Sequence, residues 1–449
     1  MTVTAELCEK IVAQTWDSLT PEAIGAARRL VLDGISIALA GTEEEAMQIL
    51  GEHYRGFGAR GDCTAIGHGF RTAPTLAAAL NGASMHVLDF EPMWTPSNHA
   101  LSTTLPAILA LAETRDVSGR DVITALVKGI ELQGWIRHAG HLYENGSIRF
   151  HPPALVGPMG SVVASGHVLG LTASQLAYAL GMASSRCGGM AANIGTMTKS
   201  THCGNAASAG LECAMLAAHG FDANPEPFEA FNGYGKMMFG DTFEPRDLLN
   251  FGAPWRIVSP GYSMKMFPSQ FGTHFAITAG LQLRPQIPDP SQIKSVVLKT
   301  PVMPYVDRPH PETGLAGKFS LQYTFASGLL RGEVKIDTFT DTEVEKPDMA
   351  ALLGKIEMNM TREIPARFDR MWIEADVEMQ DGTKLHTRCN GPKGIWGTPP
   401  ISAEDHLVKV RDCLSRRLTN DAAEKLIDLA LKIDTLDAAG VKSMVALAC

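Results

Sequence analysis

Charged residues are scarce in this sequence. Asp, Glu, Lys and Arg make up 19% of the 449 residues, whereas hydrophobic residues make up 45%. This balance excludes a disordered or fibrous chain and predicts a large buried core. The net charge is −9 and basic runs are absent, so nucleic acid is not an expected partner. The N-terminal residues lack a basic stretch followed by an apolar run, which argues against a secretory signal or transit peptide and favours a cytoplasmic protein.

Motifs of several common enzyme classes are also absent. The eight cysteines form no C-x-x-C pair, which favours reduced, buried thiols over disulfides or a structural zinc site. There is no G-x-G-x-x-G after a strand pattern, no G-x-x-x-x-G-K-[ST], no G-x-S-x-G and no H-E-x-x-H. Dinucleotide enzymes, P-loop ATPases, α/β-hydrolases and zincins are therefore excluded. What remains is acid–base chemistry on a small anion, with no metal and no cofactor.

Helical patterns dominate about the first 250 residues. Thr20 and Pro21 place a cap and a first-turn proline before an apolar periodic stretch that stops at Gly41, so we expect a helix there. Further helical patterns cover 73–88, 105–112, 121–141, 173–183 and 205–219. These stretches predict a large all-helical domain.

The hydrophobic period changes after about residue 290. Strand-like stretches cover 293–300, 356–360, 372–378 and 383–389, and Asp381-Gly382 between the last two predicts a hairpin turn. Two closing helices are expected at 403–417 and 421–433, the first capped by Ser402. We therefore predict a mainly α protein with an α+β part: an all-helical domain of residues 1–266, rejoined by 401–449, and a smaller α+β lid domain of 267–400.

The stretch 150–198 contains Arg186 as its single charged residue. Glycines and prolines interrupt it, so it is not a membrane span, and buried helices around a cavity explain it better. Lys199 and His202 follow directly, before the helix predicted from Asn205. Free N–H groups at that helix start would make an anion site. A lysine that merely reaches the surface is an equally good interpretation.

Three more segments carry groups suited to catalysis. His86, Asp89, Glu91, Thr95 and His99 surround two prolines, where a loop of solvated polar residues is the simpler interpretation. The second segment contains His138, His141, Tyr143, Arg149 and His151. A metal site is not expected from its histidines, because no further ligand stands at suitable spacing. In the third segment, burial beside the domain junction would lower the pKa of Lys265 and make it a base, although a packed hinge lysine fits equally well.

Four sequence segments together resemble the MmgE/PrpD family. They are MHVLDF at 85–90, RFHPP at 149–153, TMTKSTHCGNAA at 196–207 and KMFPSQFGTH at 265–274. The resemblance implies a homodimer with an all-helical domain, an α+β lid and a cofactor-free site between them. It also implies that five residues line that site: Asp89, His99, His151, Lys199 and Lys265.

The family includes 2-methylcitrate dehydratases, cis-aconitate decarboxylases and iminodisuccinate epimerases. This chain has Gln270 where the decarboxylase pattern has a histidine, and Glu-Pro-Met-Trp-Thr-Pro at 91–96 where the lyases read roughly D-D-T-W-H-P. The resemblance therefore implies an isomerase: an epimerase that removes and returns the proton next to a carboxylate of iminodisuccinate. The alternatives are a lyase acting on a tricarboxylic acid and a non-catalytic polycarboxylate-binding protein.

Residue roles follow from that expected reaction. Lys265 and Tyr143 would exchange the proton, with His151 able to replace either. Asp89 would orient a neighbouring group. The substrate carboxylates would be bound by a further set, namely His99, Lys199, Arg149, Gln270 and Thr95.

Overall fold

The computed structural model describes residues 1–144 and 148–449. Ten helices form the first and larger unit, as the helical periodicity predicts. Two short antiparallel strand pairs accompany them, β1–β2 and β3–β4. The helices are α1 Val3–Ala13, α2 Pro21–Gly41, α3 Glu45–Gly56, α4 Pro74–Val87, α5 Leu105–Thr114, α6 Gly119–Ala139, α7 Pro152–Leu169, α8 Ala173–Ser184, α9 Thr198–Ala218 and α10 Tyr234–Phe239, and the strands are β1 Cys63–Ala65, β2 Phe70–Thr72, β3 Met93–Trp94 and β4 Tyr262–Ser263.

Small residues set how closely the helices of this unit approach. A Cβ atom on Gly41 would lie 2.1 Å from the Ser84 carbonyl oxygen, and one on Gly204 would lie 2.0 Å from that of Ala79. Helices α2 and α9 can therefore both pack tightly against α4 only because these positions carry no side chain. This close packing brings the C-terminal end of α4 to the N-terminal end of α9.

The lid contains one four-stranded sheet with helices beside it. The strand order is β6-β5-β7-β8, in which β5 and β6 are parallel and the other pairs are antiparallel. Gly382 has φ of 86° in the β7–β8 turn, as the Asp-Gly hairpin signal predicts. The elements are α11 Thr273–Leu283, β5 Ile293–Pro301, α12 Gly314–Gly317, α13 Leu321–Arg331, α14 Asp341–Val344, α15 Pro347–Leu353, β6 Ile356–Thr361, β7 Ile373–Met379 and β8 Lys384–Cys389.

Three closing helices return to the first unit: α16 Ala403–Leu414, α17 Asn420–Leu431 and α18 Ala438–Ala446. Both α16 and α17 pack against α2, and their apolar residues belong to the large helical core, while the lid has a core of its own. The expected fold class, mainly α with a smaller α+β part, is confirmed. The limits at residues 266 and 400 stay predictions.

One helix boundary differs from the sequence-based expectation. Helix α9 begins at Thr198 rather than near Asn205. Lys199 and His202 therefore lie on its first two turns and not in a preceding loop. None of the helices in the described part of the chain combines the length and the apolar character that a membrane crossing needs.

Candidate active site

The candidate site is built around the loop that follows α4. The helix ends at Val87, and Asp89 has a left-handed backbone conformation with φ of 51°. Aspartate is one of the few residues besides glycine that adopts this conformation readily. The chain then enters β3, which pairs with β4 through Met93 and Ser263. This pairing holds the Asp89 loop beside the segment that carries Lys265.

Asp89 joins two lysine side chains. Its Oδ2 accepts a hydrogen bond from Nζ of Lys199 at 2.7 Å, and its Oδ1 accepts one from Nζ of Lys265. Lys265 Nζ also donates to the carbonyl oxygens of Asp89 at 2.8 Å and Ser269 at 2.9 Å. Asp89, Lys199 and Lys265 are only 2%, 7% and 0% exposed. The cluster is a buried, hydrogen-bonded arrangement of one carboxylate and two ammonium groups.

The charges in this cluster shift the titration of its members. Burial alone would raise the pKa of Asp89, but the charges of Lys199 and Lys265 outweigh it and hold that pKa well below its ordinary value. Burial lowers the pKa of Lys265 to about 8, although the Asp89 carboxylate opposes this shift. With Asp89 ionised, the two lysines leave the cluster with a net positive charge. Such a site attracts anions.

His86 and Glu91 extend the hydrogen-bond chain behind Lys199. His86 Nε2 accepts from Lys199 Nζ at 2.8 Å, so His86 Nδ1 carries the ring proton and donates to Glu91 Oε1 at 2.6 Å. Glu91 also accepts from the N–H of Ser102 at 2.9 Å and from its hydroxyl at 2.6 Å. Burial raises the pKa of Glu91 to about 8, and the bonds from Ser102 work against that shift.

Two more histidines face the cluster. His99 Nε2 lies 3.7 Å from Asp89 Oδ1, and His99 Nδ1 is a buried atom with no hydrogen-bond partner in the described part of the chain. His151 Nδ1 lies 3.3 Å from Nδ1 of His202. Burial, assisted by the neighbouring lysine charges, lowers the pKa of both His99 and His151 well below the ordinary value. Both rings are therefore neutral near neutral pH, and each offers one donor and one acceptor.

These groups line a cavity between the helical unit and the lid, here named the front cavity. Clefts at such a junction are common sites for small-molecule ligands. The lid contributes Phe271 and Phe368 as apolar wall, and Gln270 donates from Nε2 to the Tyr305 hydroxyl at 3.1 Å. The front cavity is defined by Asp89, Met93, Ser97, Asn98, His99, Ile148, His151, Pro152, Pro153, Ile194, Lys199, Gln270, Phe271, Tyr305 and Phe368.

The structure brings together most of the residues singled out in the sequence. Five of them line the front cavity, and Lys265 lies directly behind Asp89, its three hydrogen bonds all made to Asp89 and Ser269. The interpretation of the 86–99 segment as a solvated loop does not describe its polar side chains, because those at the cluster are buried. The five are Asp89, His99, His151, Lys199 and Gln270.

Three predicted site residues lie elsewhere. Tyr143 and Arg149 line a separate cavity, and the Tyr143 hydroxyl bonds His138 Nδ1 at 2.7 Å. Arg149 is exposed. Thr95 is not part of the front-cavity lining, and its carbonyl oxygen accepts from Arg256 at 3.0 Å. The structure therefore does not place Tyr143 opposite Lys265 across a shared cavity, because the loop after α6 carries it to the other side of Ile148 and Pro152.

Sequence reasoning did not select several groups that the fold places in the site. His86 and Glu91 stand in the same segment as Asp89, but the hydrogen bonds through which they support Lys199 depend on the packing of α9 against α4. Tyr305 and Phe368 come from the lid, far away in the sequence, and no motif marks them. Only the scarcity of charge in 150–198 signalled that a cavity lies nearby.

Among the residues that the structure describes, two groups of side chains could hold a metal ion by distance alone. They are His86, His151 and Cys203, and His86, Glu91 and His99, whose ligand atoms lie within 4.8 Å of one another. Both groups need His86, whose two ring nitrogens already bond Lys199 and Glu91. A divalent cation would also lie beside the Lys199 ammonium group, which Coulomb repulsion disfavours. Catalysis without a metal or cofactor stays a prediction.

Comparison with known proteins identifies the class of this fold and site. Sequence models of the MmgE/PrpD N-terminal domain and C-terminal domain match residues 5–246 and 267–435. The chain therefore belongs to the MmgE/PrpD family. It is 31% identical to cis-aconitate decarboxylase of Mus musculus over 93% of this chain and 88% of the relative. It is 26% identical to cis-aconitate decarboxylase of Aspergillus terreus (97% and 94% covered) and to the mitochondrial 2-methylcitrate dehydratase of Yarrowia lipolytica (92% and 87% covered).

These relatives correct one expectation. The prediction of an isomerase that epimerises iminodisuccinate is wrong, because the relatives that match along nearly the whole chain are named as a decarboxylase and a dehydratase, both lyases. That prediction depended on Gln270 and on the 91–96 loop. Differences at a few wall positions change the shape of a site more readily than they change the class of reaction that the rest of the site performs.

Proposed function

We propose that this protein is a lyase that decarboxylates a tricarboxylic acid of the cis-aconitate type, without a metal or cofactor. One observation carries the proposal: the buried Asp89–Lys199–Lys265 cluster stands beside a cavity whose lid side includes the apolar rings of Phe271 and Phe368. The names and full-length coverage of the relatives support the same class of reaction.

The polar end of the cavity suits the carboxylates that remain on the product. Lys199 provides a positive charge, while Asn98 and the neutral rings of His99 and His151 provide hydrogen-bond donors. Asp89 is neutralised by the two lysines, so it does not repel an anionic substrate as a free carboxylate would. Its role in this proposal is to hold Lys199 in place.

The apolar end suits the carboxylate that is lost. When cis-aconitate loses carbon dioxide from its CH2–COO⁻ arm, the breaking C–C bond supplies electrons for a new C=C bond, and the former vinylic CH carbon takes a proton. A charged carboxylate becomes neutral carbon dioxide in this step, so surroundings such as Phe271 and Phe368 favour the transition state over the bound substrate. We assign the proton to the Lys199 ammonium group, because the histidines that line the front cavity are neutral.

The reaction can be followed in D2O with cis-aconitate as substrate. We expect one carbon dioxide and one unsaturated dicarboxylic acid per substrate, with one deuterium at the former vinylic carbon and no loss of rate after treatment with a chelator. The Lys199→Met variant should lose at least about 100-fold in kcat. In contrast, the Lys432→Met variant, altered at an exposed lysine of a surface ion pair, should retain the parent rate.

The alternatives give different products in the same assay. Loss of water from 2-methylcitrate without release of carbon dioxide would show a dehydratase and overturn the proposal. Binding of a tricarboxylate without any turnover would show a binding protein. Loss of activity on chelation would contradict the metal-free mechanism.

Two wider expectations belong with this proposal: a cytoplasmic location and a homodimer. The eight cysteines, all within the described residues, are unpaired, and most are buried, which fits a reducing compartment. Large apolar side chains exposed within 221–237 fit a surface that another copy covers.

A further inference from the structure

A second cavity lies on the opposite side of Lys199 and is here named the rear cavity. It is larger than the front cavity. The helical unit contributes Glu44, Glu45 and Ala46 at the start of α3, and the lid contributes Asp341 among others. Its lining is richer in carboxylates than that of the front cavity, which contains Asp89 as its acidic member among the described residues.

Lys199 forms part of the wall between the two cavities. Among the residues that the structure describes, it is the one that lines both. Its Nζ donates to Asp89, a front-cavity residue, and to His86, a rear-cavity residue. The same Nζ lies 5.4 Å from the ring centre of Phe319, which also lines the rear cavity. One ammonium group is thus within reach of both spaces.

The proposed reaction needs a new proton in every cycle. Decarboxylation consumes one proton at carbon, so Lys199 must regain a proton from solvent before the next turnover. The front cavity is occupied by substrate or product at that stage, which leaves little room for water to reach Lys199 from that side. The rear cavity provides a different route to the same nitrogen.

We propose that the rear cavity is a proton-entry site that reloads Lys199 while the front cavity remains occupied. The Lys199 N–H bond breaks as the new C–H bond forms in the front cavity. The resulting neutral amine then takes a proton from water in the rear cavity, and bulk buffer replaces that proton. This inference rests on the proposed function, because it assigns the source of the proton that the reaction consumes.

Polar groups of the rear cavity support this role. Glu44 Oε1 accepts from Nζ of Lys318 at 3.1 Å, an ion pair between the helical unit and the lid. Asp341 Oδ1 accepts from the N–H of Gly314 at 2.8 Å, which leaves its other oxygen available to water. Carboxylates in a water-accessible space can bind and release protons faster than a dry, apolar path could transmit them.

The test uses a substitution that reduces the free space of the rear cavity and leaves the lining of the front cavity unchanged. Ala46→Phe fills the rear cavity beside the path to Lys199. Its matched control is Ala26→Phe, which places the same side chain in an unrelated surface cavity near Arg29. Both positions are half-buried alanines on helices. Product formation is followed in rapid-mixing and steady-state experiments with cis-aconitate.

The first turnover uses the proton already present on Lys199, so we expect the Ala46→Phe variant to form one equivalent of product at the parent rate. Later turnovers should slow about tenfold, and KM should fall in proportion because kcat/KM reports only the steps of the first turnover. The solvent deuterium isotope effect on kcat should increase. The control should match the parent. A uniform loss of rate in both phases, or unchanged steady-state kinetics and isotope effect, would overturn the proposal.

A second measurement does not require turnover. With the front cavity blocked by tricarballylate, a saturated tricarboxylate, the exchange of the Lys199 N–H protons with D2O is followed by NMR of ¹⁵N-lysine-labelled protein. Exchange should continue in the parent and slow at least about tenfold in the Ala46→Phe variant. Equal exchange in both proteins would exclude the rear route. Absence of turnover in the parent would count against the decarboxylase proposal alone, and this exchange experiment would still decide the proton route.

Discussion

Asp89 shows how much of the site depends on one residue. Its backbone has φ of 51°, and its two carboxylate oxygens bind two different lysines. Alanine or a β-branched residue would be strained at this φ, and a residue with no acceptor oxygens would leave two buried ammonium groups facing each other. Asparagine is the substitution that retains the backbone conformation and the shape while it removes the charge.

We therefore expect Asp89→Asn to lower kcat by at least about 100-fold, because Lys199 loses the anion that positions it. The free energy of unfolding should fall by about 3 kcal/mol, the scale of a buried ion pair that loses one partner. Urea unfolding and the carbon dioxide assay measure the two effects. Asp376→Asn, which removes a carboxylate from an exposed pair with His386, should change neither. An Asp89→Asn variant with parental kcat would contradict the proposed role of the cluster.

Glu91 gives a prediction for stability against pH. Its pKa is about 8 in the folded protein and near its ordinary value of 4.5 in the unfolded chain. The folded state therefore binds more protons between these two values, so the contribution of Glu91 to stability decreases as pH rises from about 5 to about 8. The Glu91→Gln variant cannot titrate and should lose this part of the slope.

The measurement is urea unfolding of parent and Glu91→Gln protein at about pH 5.5 and about pH 8. The difference in unfolding free energy between the two pH values should be smaller in the Glu91→Gln variant than in the parent. Glu404→Gln, at an exposed position on α16, should keep the parental slope. The same slope in all three proteins would show that Glu91 does not take up a proton on folding.

At the scale of elements, helix α16 supports the Asp89 loop through hydrogen bonds. Lys409 Nζ lies 2.9 Å from Asp33 Oδ1 and donates to the Phe90 carbonyl at 2.9 Å, and His406 Nε2 lies 3.0 Å from the same Asp33 oxygen. Phe90 stands between Asp89 and Glu91 in the sequence. The helix that follows the lid thus fixes the backbone of the loop in the first unit.

The Lys409→Met variant should lose about 3 kcal/mol of unfolding free energy, because His406 is then the one ion-pair partner left to Asp33 among the described residues. At a temperature where the variant is fully folded, we expect kcat to fall about tenfold with little change in KM, since the loop loses a hydrogen bond and not a substrate contact. Lys425→Met on the exposed face of α17 provides the matched control. An unfolding free energy within about 0.5 kcal/mol of the parent would contradict this prediction.

Local signals made most elements predictable. Thr20 and Pro21 start α2 as expected, with the Thr20 hydroxyl accepting from the Ala23 N–H at 3.2 Å. The Asp381-Gly382 turn joins β7 and β8. The start of α9 could not be predicted, because its N-cap Met197 makes no side-chain cap bond. Packing against α4, and not local propensity, extends that helix towards its N-terminus.

The site was predictable only where its residues cluster in sequence. Asp89, His99 and Lys199 stand in segments that resemble the MmgE/PrpD family, and this resemblance, not their spacing, selected them. Tyr305 reaches the front cavity through the packing of the whole lid, which no local pattern encodes. Tyr143 shows the reverse: proximity in sequence to His151 did not decide where the intervening loop would direct its side chain.

At the scale of the whole molecule, one stretch of the chain, 221–237, exposes several large apolar side chains. Phe221, Phe231 and Met237 are 57%, 86% and 66% exposed. A single chain gains nothing from three such side chains in water, so we expect a second copy to cover them in a homodimer.

The Phe231→Asp variant should weaken that dimer at least tenfold, because a charge would be buried at the contact. Sedimentation equilibrium of parent and variant measures the change. Phe57→Asp, at an exposed phenylalanine outside this region, should leave the association unchanged. A parent protein that sediments as a monomer, or a variant with parental association, would exclude this surface as the interface.

The return of α16 to the Asp89 loop also has a consequence for biosynthesis. Ribosomes make the chain from the N-terminus, so Lys409 is translated only after the helical unit and the entire lid. A nascent chain that has already folded its first unit still lacks the side chain that anchors the Phe90 carbonyl. Activity should therefore appear only when translation of the chain is nearly complete. Truncated chains that end near residue 400 should be inactive even when their helices are formed.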